Sequence, residues 1–135
     1  NGRNPIVAHE YLGDSVEGKT VFIADDIIAS GESMLEVASN LKTRGAKRII
    51  ADATFPLFTS GLDKFDKAVE EGTLDYVVGT NLTYRKPELL NRDWYVDVDV
   101  SKYAAYFIVA LNHDMSVSSI IDPIKKIEAL LANRK

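Results

Sequence analysis

At 135 residues the chain has room for one domain with a proper core, and an apolar content of 46% rules out a disordered segment. Its 16 Lys and Arg against 20 Asp and Glu leave a net charge of -4, which disfavours wrapping nucleic acid, although backbone N–H groups can still hold a single anionic group. The absence of Cys excludes disulfides, Cys-ligated zinc, iron–sulfur centres and thiol catalysis, and no apolar run approaches the roughly 18 residues of a membrane span.

The opening Asn1-Gly2-Arg3-Asn4-Pro5 is neither an initiator Met nor a signal peptide, and it reads as the interior of a longer polypeptide. Residues 1–19 form a lead-in with an apolar patch (Ile6, Val7, Ala8, Tyr11, Leu12), and Val16-Glu17-Gly18-Lys19 is a tight turn feeding a strand. Thr20-Val21-Phe22-Ile23-Ala24 is continuously apolar and closed by Asp25-Asp26, the pattern of a strand buried on both faces. From Ser33 the period changes. Met34, Val37, Ala38 and Leu41 make one helical stripe that stops near Gly45, with Lys42 and Arg44 where cations suit the dipole. Arg48–Thr54 is a second strand, which completes a βαβ unit.

Leu62, Phe65 and Val69 mark a helix ending near Gly72, followed by a third strand at 75–80. After a polar loop, Trp94–Val98 is a fourth strand, whose Trp94 is expected to anchor a sheet edge or a subunit contact. Ser101 can cap a helix running to Asn112, apolar on most of its surface and therefore covered on more than one side, whether within this domain or by a partner or absent domain. Asp122-Pro123 opens a last helix with the stripe Ile124, Ile127 and Leu131. The expected fold is three-layer α/β, a mainly parallel sheet with helices on both faces and ligands at the carboxyl ends of its strands. The domain itself spans 20–121, with 122–135 as a carboxyl-terminal helix.

The chemistry concentrates in Val21–Ser33. A strand delivers two adjacent carboxylates, and a short loop then opens a helix. Gly31 permits a tight turn, the N–H groups from about Gly31 to Leu35 face outward, and the hydroxyls of Ser30 and Ser33 can donate to the same anion. A phosphate monoester fits there. The spacing is neither that of a nucleoside-triphosphate P-loop nor that of a dinucleotide turn. Asp25 and Asp26 suit a cis-diol, with Mg²⁺ as a companion, and together the two subsites match ribose 5-phosphate. Ordinary helix capping by Ser30 or Ser33 explains the same residues, and Glu32 opposes a nearby anion, so both readings stand. Thr80 and Asn81, ending the third strand, either line the crevice or form a turn. His9 and His113 lack metal-ligand spacing and read as surface or helix-end residues; Lys64, Lys67, Lys125 and Lys126 read as solvated helix faces, and Tyr103, Tyr106 and Phe107 as packing or interface residues.

This stretch resembles the type I phosphoribosyltransferase signature: an apolar strand, two acidic residues, three variable residues, then Thr/Ser-Gly-x-Thr/Ser. Asp25-Asp26, Ser30, Gly31 and Ser33 match it in order and spacing. The wider chain, over residues 6–121, resembles the carboxyl-terminal domain of the ribose-phosphate pyrophosphokinases. The supporting pieces are Asp14–Thr20, Asn40–Ala46 and Thr80-Asn81-Leu82-Thr83, with a weaker match from Val100 to Ile120. The resemblance implies that Asp25 and Asp26 hold the ribose hydroxyls, directly or through Mg²⁺, while Ala29, Ser30, Gly31, Glu32 and Ser33 wrap the 5-phosphate. It implies pyrophosphoryl transfer from ATP to ribose 5-phosphate by a cytoplasmic homo-oligomer, with ATP gripped largely by an amino-terminal domain absent from this chain. No residue here is assigned to catalysis, and no nucleic acid or membrane partner is expected. The family's Lys-Arg-Arg loop is missing, with Arg3 as its tail at most, and Phe55 stands where the family often has His. The isolated chain is therefore expected to bind ribose phosphate without turnover. The alternatives are a base phosphoribosyltransferase or an inactive regulatory subunit of the same fold; a signalling receiver lacks its Lys after a late strand.

Overall fold

The computed structural model describes residues 13–133. In chain order the elements are β1 (Thr20–Ile28), α1 (Glu32–Thr43), β2 (Arg48–Pro56), α2 (Asp63–Glu70), β3 (Tyr76–Thr80), α3 (Pro87–Leu90), β4 (Tyr95–Val98), α4 (Ser101–Asn112), α5 (Ser118–Ile121) and α6 (Ile124–Ala132). The chain divides into two compact units, one through Val98 and the other from Asp99. The helix α4, which the sequence pattern groups with the sheet, thus belongs with the carboxyl-terminal helices.

The first unit is a four-stranded parallel sheet in the order β1-β2-β3-β4. Each crossover steps in the same direction, and right-handed crossovers that do so place successive helices on one face. The core agrees. Met34, Ala38 and Leu41 of α1 and Phe65 and Ala68 of α2 pack in one cluster with Ile49, Ala51, Ala53 and Val77. On the opposite face, Phe22 is 60% exposed and Val96 43%. The α/β class and the parallel sheet are as expected. Within this unit, however, the helical layer lies over one face only, because the strand order never reverses.

Two local expectations are corrected. The strand β1 does not end at Ala24: its ladder with β2 runs on to Ile28 opposite Pro56, so Asp25 and Asp26 lie inside the strand. Nor is β1 buried on both faces. Among the described residues it is an edge strand of the sheet, where two carboxylates keep their hydration at no cost. Trp94 does anchor a terminal strand: it directly precedes β4, its carbonyl accepts from the Val77 N–H at 2.8 Å, and its side chain is 6% exposed, stacked on Phe65 at 5.9 Å within an aromatic cluster that includes Phe58 and Tyr95. Its indole N–H donates to Asp66 Oδ1 at 2.7 Å, and Arg92 forks onto the same carboxylate from Nε and Nη2, both at 2.8 Å.

The helix α1 ends in a Schellman motif: Gly45 (φ 86°) donates to Lys42 O at 2.9 Å and Ala46 to Leu41 O at 3.1 Å. In the second unit the start of α4 is capped by Asp99, whose Oδ1 accepts from the Ser101 N–H at 2.9 Å; Ser101 is the first helical residue rather than the cap. The apolar surface of α4 is not sandwiched, since Ile108 is 68% and Leu111 69% exposed. Asp122 Oδ1 accepts from the Ile124 N–H at 3.0 Å, but Pro123 holds the N-cap position of α6 and Ile124 is its first helical residue, one position later than the Asp122-Pro123 pattern suggests. His113 is exposed just after α4, as expected of a helix-end residue. Arg3 and His9 lie outside the described residues.

Candidate functional site

Both carboxylates of the Asp25-Asp26 pair are exposed, and the Asp26 N–H donates to Asp25 Oδ1 at 2.8 Å. Consecutive strand residues point to opposite faces, so the pair straddles the edge of the sheet near its carboxyl end. Ile28, 1% exposed, then plugs the strand into the core. Three donors from the segment after β2 fix the exit of the chain from β1. The N–H groups of Leu57 and Phe58 reach Ile28 O at 2.9 and 3.1 Å, and that of Thr59 reaches Ala29 O at 2.9 Å.

Gly31 occupies the N-cap position of α1 in the left-handed region, at φ 79°. A Cβ at this position would run into the Phe65 ring, so the turn requires Gly both for its backbone angle and for the approach of α2. The first helical bond runs from the Leu35 N–H to Gly31 O at 2.9 Å. Ser30 Oγ accepts from the Glu32 N–H at 3.4 Å, a long contact that satisfies one helix-start donor weakly. Among the described residues, the N–H groups of Ser33 and Met34 meet no protein acceptor, so capping does not consume the amides at this helix start. Glu32, the residue that opposes an anion, places its carboxylate on the Lys64 ammonium at 2.6 Å, which offsets part of its charge.

Thr80 and Asn81 do sit at the carboxyl end of β3. They are two strands from β1, about 10 Å away at the usual strand spacing. The Thr80 hydroxyl donates to Thr54 O at 2.6 Å and accepts from the Leu82 N–H at 3.2 Å, and the Asn81 N–H donates to Val98 O at 3.2 Å. The hydroxyl of Thr80 therefore ties the ends of β2 and β3 together and shapes the turn.

Asp52 is a residue that sequence reasoning missed. It lies on β2 in register with Ala24, half-buried, and its Oδ1 is buried without a hydrogen-bond partner. Burial first, and then the negative charge of Asp25, raise its pKa above the ordinary aspartate value. An Asp inside the run Ile49-Ile50-Ala51-Asp52-Ala53 was the available signal, since an apolar strand rarely carries a carboxylate at its centre. Three acidic residues thus gather along β1 and β2, a field that attracts hydroxyl donors and cations. Among the described residues no group of three or more His, Asp or Glu forms a ready-made metal cage.

The phosphoribosyl synthetase-associated domain model matches residues 5–122. The chain belongs to that family. A ribose-phosphate pyrophosphokinase of Vibrio cholerae is 30% identical over 111 residues, covering 82% of this chain and 34% of that protein. An orotate phosphoribosyltransferase of Oceanobacillus iheyensis is 41% identical over 68 residues, covering 50% of this chain and 32% of its own. The fold matches the crystal structure of phosphoribosylpyrophosphate synthetase from Mycobacterium smegmatis with a TM-score of 0.65 at 24% identity, over 76% of this chain and 33% of that one. The resemblance to ribose-phosphate pyrophosphokinases read from Asp25–Ser33 and its flanks is borne out, and so is the α/β fold. The chain spans about a third of the length of these curated relatives.

Proposed function

We propose that this chain is the ribose 5-phosphate-binding domain of an enzyme that transfers a pyrophosphoryl group from ATP to ribose 5-phosphate. One observation carries the reading: the open N–H groups of Ser33 and Met34 begin a helix directly beyond a strand end bearing two exposed carboxylates. The 5-phosphate rests on those amides and on the Ser30 and Ser33 hydroxyls, where the helix dipole favours negative charge. Asp25 and Asp26 accept from the ribose hydroxyls and fix the sugar. The C1 hydroxyl oxygen attacks the β-phosphorus of ATP, the bond to the α-phosphate oxygen breaks, and AMP leaves. This chain's residues contribute by positioning, which is the main lever available in phosphoryl transfer.

Two exposed carboxylates fit Mg²⁺, an ion held by one or two protein carboxylates together with waters and substrate oxygens. When bound, it supplies charge neutralisation at the phosphates. ATP is held largely by the amino-terminal domain of the longer protein, which is cytoplasmic and homo-oligomeric on this reading.

The half-chain match to an orotate phosphoribosyltransferase favours a second reading, transfer of phosphoribosyl to a base. Titration of the chain with ribose 5-phosphate and Mg²⁺ tests the site. Saturable binding that is lost in the D25N/D26N double variant and in G31V supports it; a wild-type chain that binds nothing leaves helix capping as the account of Ser30 and Ser33. Assay of the longer protein with ATP and ribose 5-phosphate, against phosphoribosyl diphosphate and a base, separates the two reactions.

A further inference from the structure

The first turn of α2 lies against the loop that opens α1. Two contacts hold it there. The Phe65 ring fills the space that a Cβ at Gly31 would take, and the Lys64 ammonium meets Glu32 Oε1 at 2.6 Å. Glu32 is the first residue of α1, so this cation stands beside the residue that precedes the open N–H groups of Ser33 and Met34. Neighbouring Cα atoms are about 3.8 Å apart, a span that the flexible stem of a lysine covers by rotation alone.

Folding by itself gives little reason for a lysine at this position. The positive end of a helix dipole favours carboxylates, which Asp63 and Asp66 supply in the first turn of α2, and Lys64 between them opposes it. Its ion pair with Glu32 is exposed on both sides, 49% for Lys64 and 64% for Glu32, and such pairs contribute little to stability. The groove between α1 and α2, about 340 Å³, has Glu32, Lys64, Lys67 and Glu71 as its charged lining. Lys67 is engaged with Glu71 at 3.6 Å, on its own helix. Lys64 is therefore the groove cation that reaches the start of α1. Its ammonium has three donors, of which one is given to Glu32 among the described residues.

We propose that Lys64 is a further phosphate-binding residue, and that Glu32 holds its ammonium beside the loop until a phosphate monoester arrives. On binding, the ammonium turns from the carboxylate to a terminal phosphate oxygen, and the Glu32 carboxylate passes to solvent, where it is already largely hydrated. The inference rests on the ribose phosphate reading of Ser30–Ser33 and adds to it a cation supplied by a neighbouring element. The exchange also bears on selectivity. Lys64 leaves one carboxylate only for an anion that attracts it more strongly, so a phosphate dianion is favoured over a singly charged carboxylate.

Calorimetric titration of the 135-residue chain with ribose 5-phosphate in the presence of Mg²⁺ tests the exchange. Lys64→Ala is expected to weaken binding about tenfold, the effect of losing one charge-assisted hydrogen bond, and Lys64→Arg to restore it to within about threefold of wild type. Glu32→Gln is expected to tighten binding about threefold, because the ammonium is no longer shared. The Glu32→Gln/Lys64→Ala double variant is expected to stay weaker than wild type, since the contact is gone although the net charge of the pair is unchanged. Without ligand all four variants should melt as the wild type does, which separates a lost contact from a damaged fold. Equal affinity in wild type and Lys64→Ala overturns the proposal. Full recovery in the double variant overturns it too, because the pair then acts through net charge alone. Both of these outcomes leave the ribose phosphate reading standing, whereas a wild-type chain that binds no ribose 5-phosphate overturns the two together.

Discussion

Gly31 joins two demands at one position: a left-handed backbone and a Cα pressed against the Phe65 ring. Gly31→Ala is expected to cost about 3 kcal/mol from positive φ and overpacking together, read as a lowered midpoint in denaturant melts, and to lose ribose 5-phosphate affinity with it. Two aspartates titrate in opposite directions. Burial acts to raise the pKa of Asp66, but the hydrogen bonds from Arg92 and Trp94 outweigh it and leave the carboxyl below 3.8. Its contribution is therefore in place above that ordinary value and is lost as pH falls through the lower folded-state value, so Asp66→Asn should destabilise the chain at neutral pH. Asp52 is the reverse case. Burial and Asp25 raise its pKa, so the folded state favours the proton and is penalised as pH rises through the raised value. Asp52→Asn should stabilise the chain at pH 7, and its advantage over wild type should vanish as pH falls well below 3.8, measured by urea unfolding at both ends. The carboxylates of Asp25 and Asp26 were legible as a pair from their place after an apolar run. That of Asp52 was not, because its importance comes from the neighbouring strand.

Among the elements, the helices show where pattern is enough. Met34, Ala38 and Leu41 repeat at helical spacing and are the residues buried by α1, and Gly45 ends that helix through the two Schellman bonds. Gly45→Ala, at φ 86° with Glu17 Cγ 3.1 Å from the added Cβ, should cost about 1 kcal/mol in thermal or denaturant melts. The strands show where pattern misleads. Thr20–Ala24 looks like a central strand, yet among the described residues β1 lies at an edge; composition records apolar character and not position in the sheet. Gly79 on β3 has no visible role in the sequence, but a Cβ there would collide with the Tyr95 hydroxyl and lie 2.7 Å from Pro56 Cγ. Gly79→Ala should therefore destabilise by about 1–3 kcal/mol, a loss that a calorimetric melt would detect. The short helices α3 and α5 escaped notice because four residues are too few to display a period.

For the molecule as a whole, a chain spanning about a third of its curated relatives is expected to bind without turning over. Incubation of the 135 residues with ATP, ribose 5-phosphate and Mg²⁺ should yield no AMP, whereas the longer protein should release it. AMP formation by the short chain alone would remove the need for a separate ATP-gripping domain. The exposed apolar side chains of α4 and α6, such as Leu111 at 69% and Leu130 at 71%, identify the second unit as the part most in need of such a longer context.

The order of residues alone determined the α/β class, the parallel pairing, the helix stripes and the signature from Asp25 to Ser33. These depend on periodicity and on near neighbours in the chain, which the sequence carries directly. Only the tertiary structure decided that β1 is an edge strand among the described residues, that the amides of Ser33 and Met34 stay open while Glu32 is drawn to Lys64, and that Asp52 shares the field of Asp25. Each of these depends on contacts between residues far apart in the chain, so burial and charge at one position are set by groups that no local pattern names.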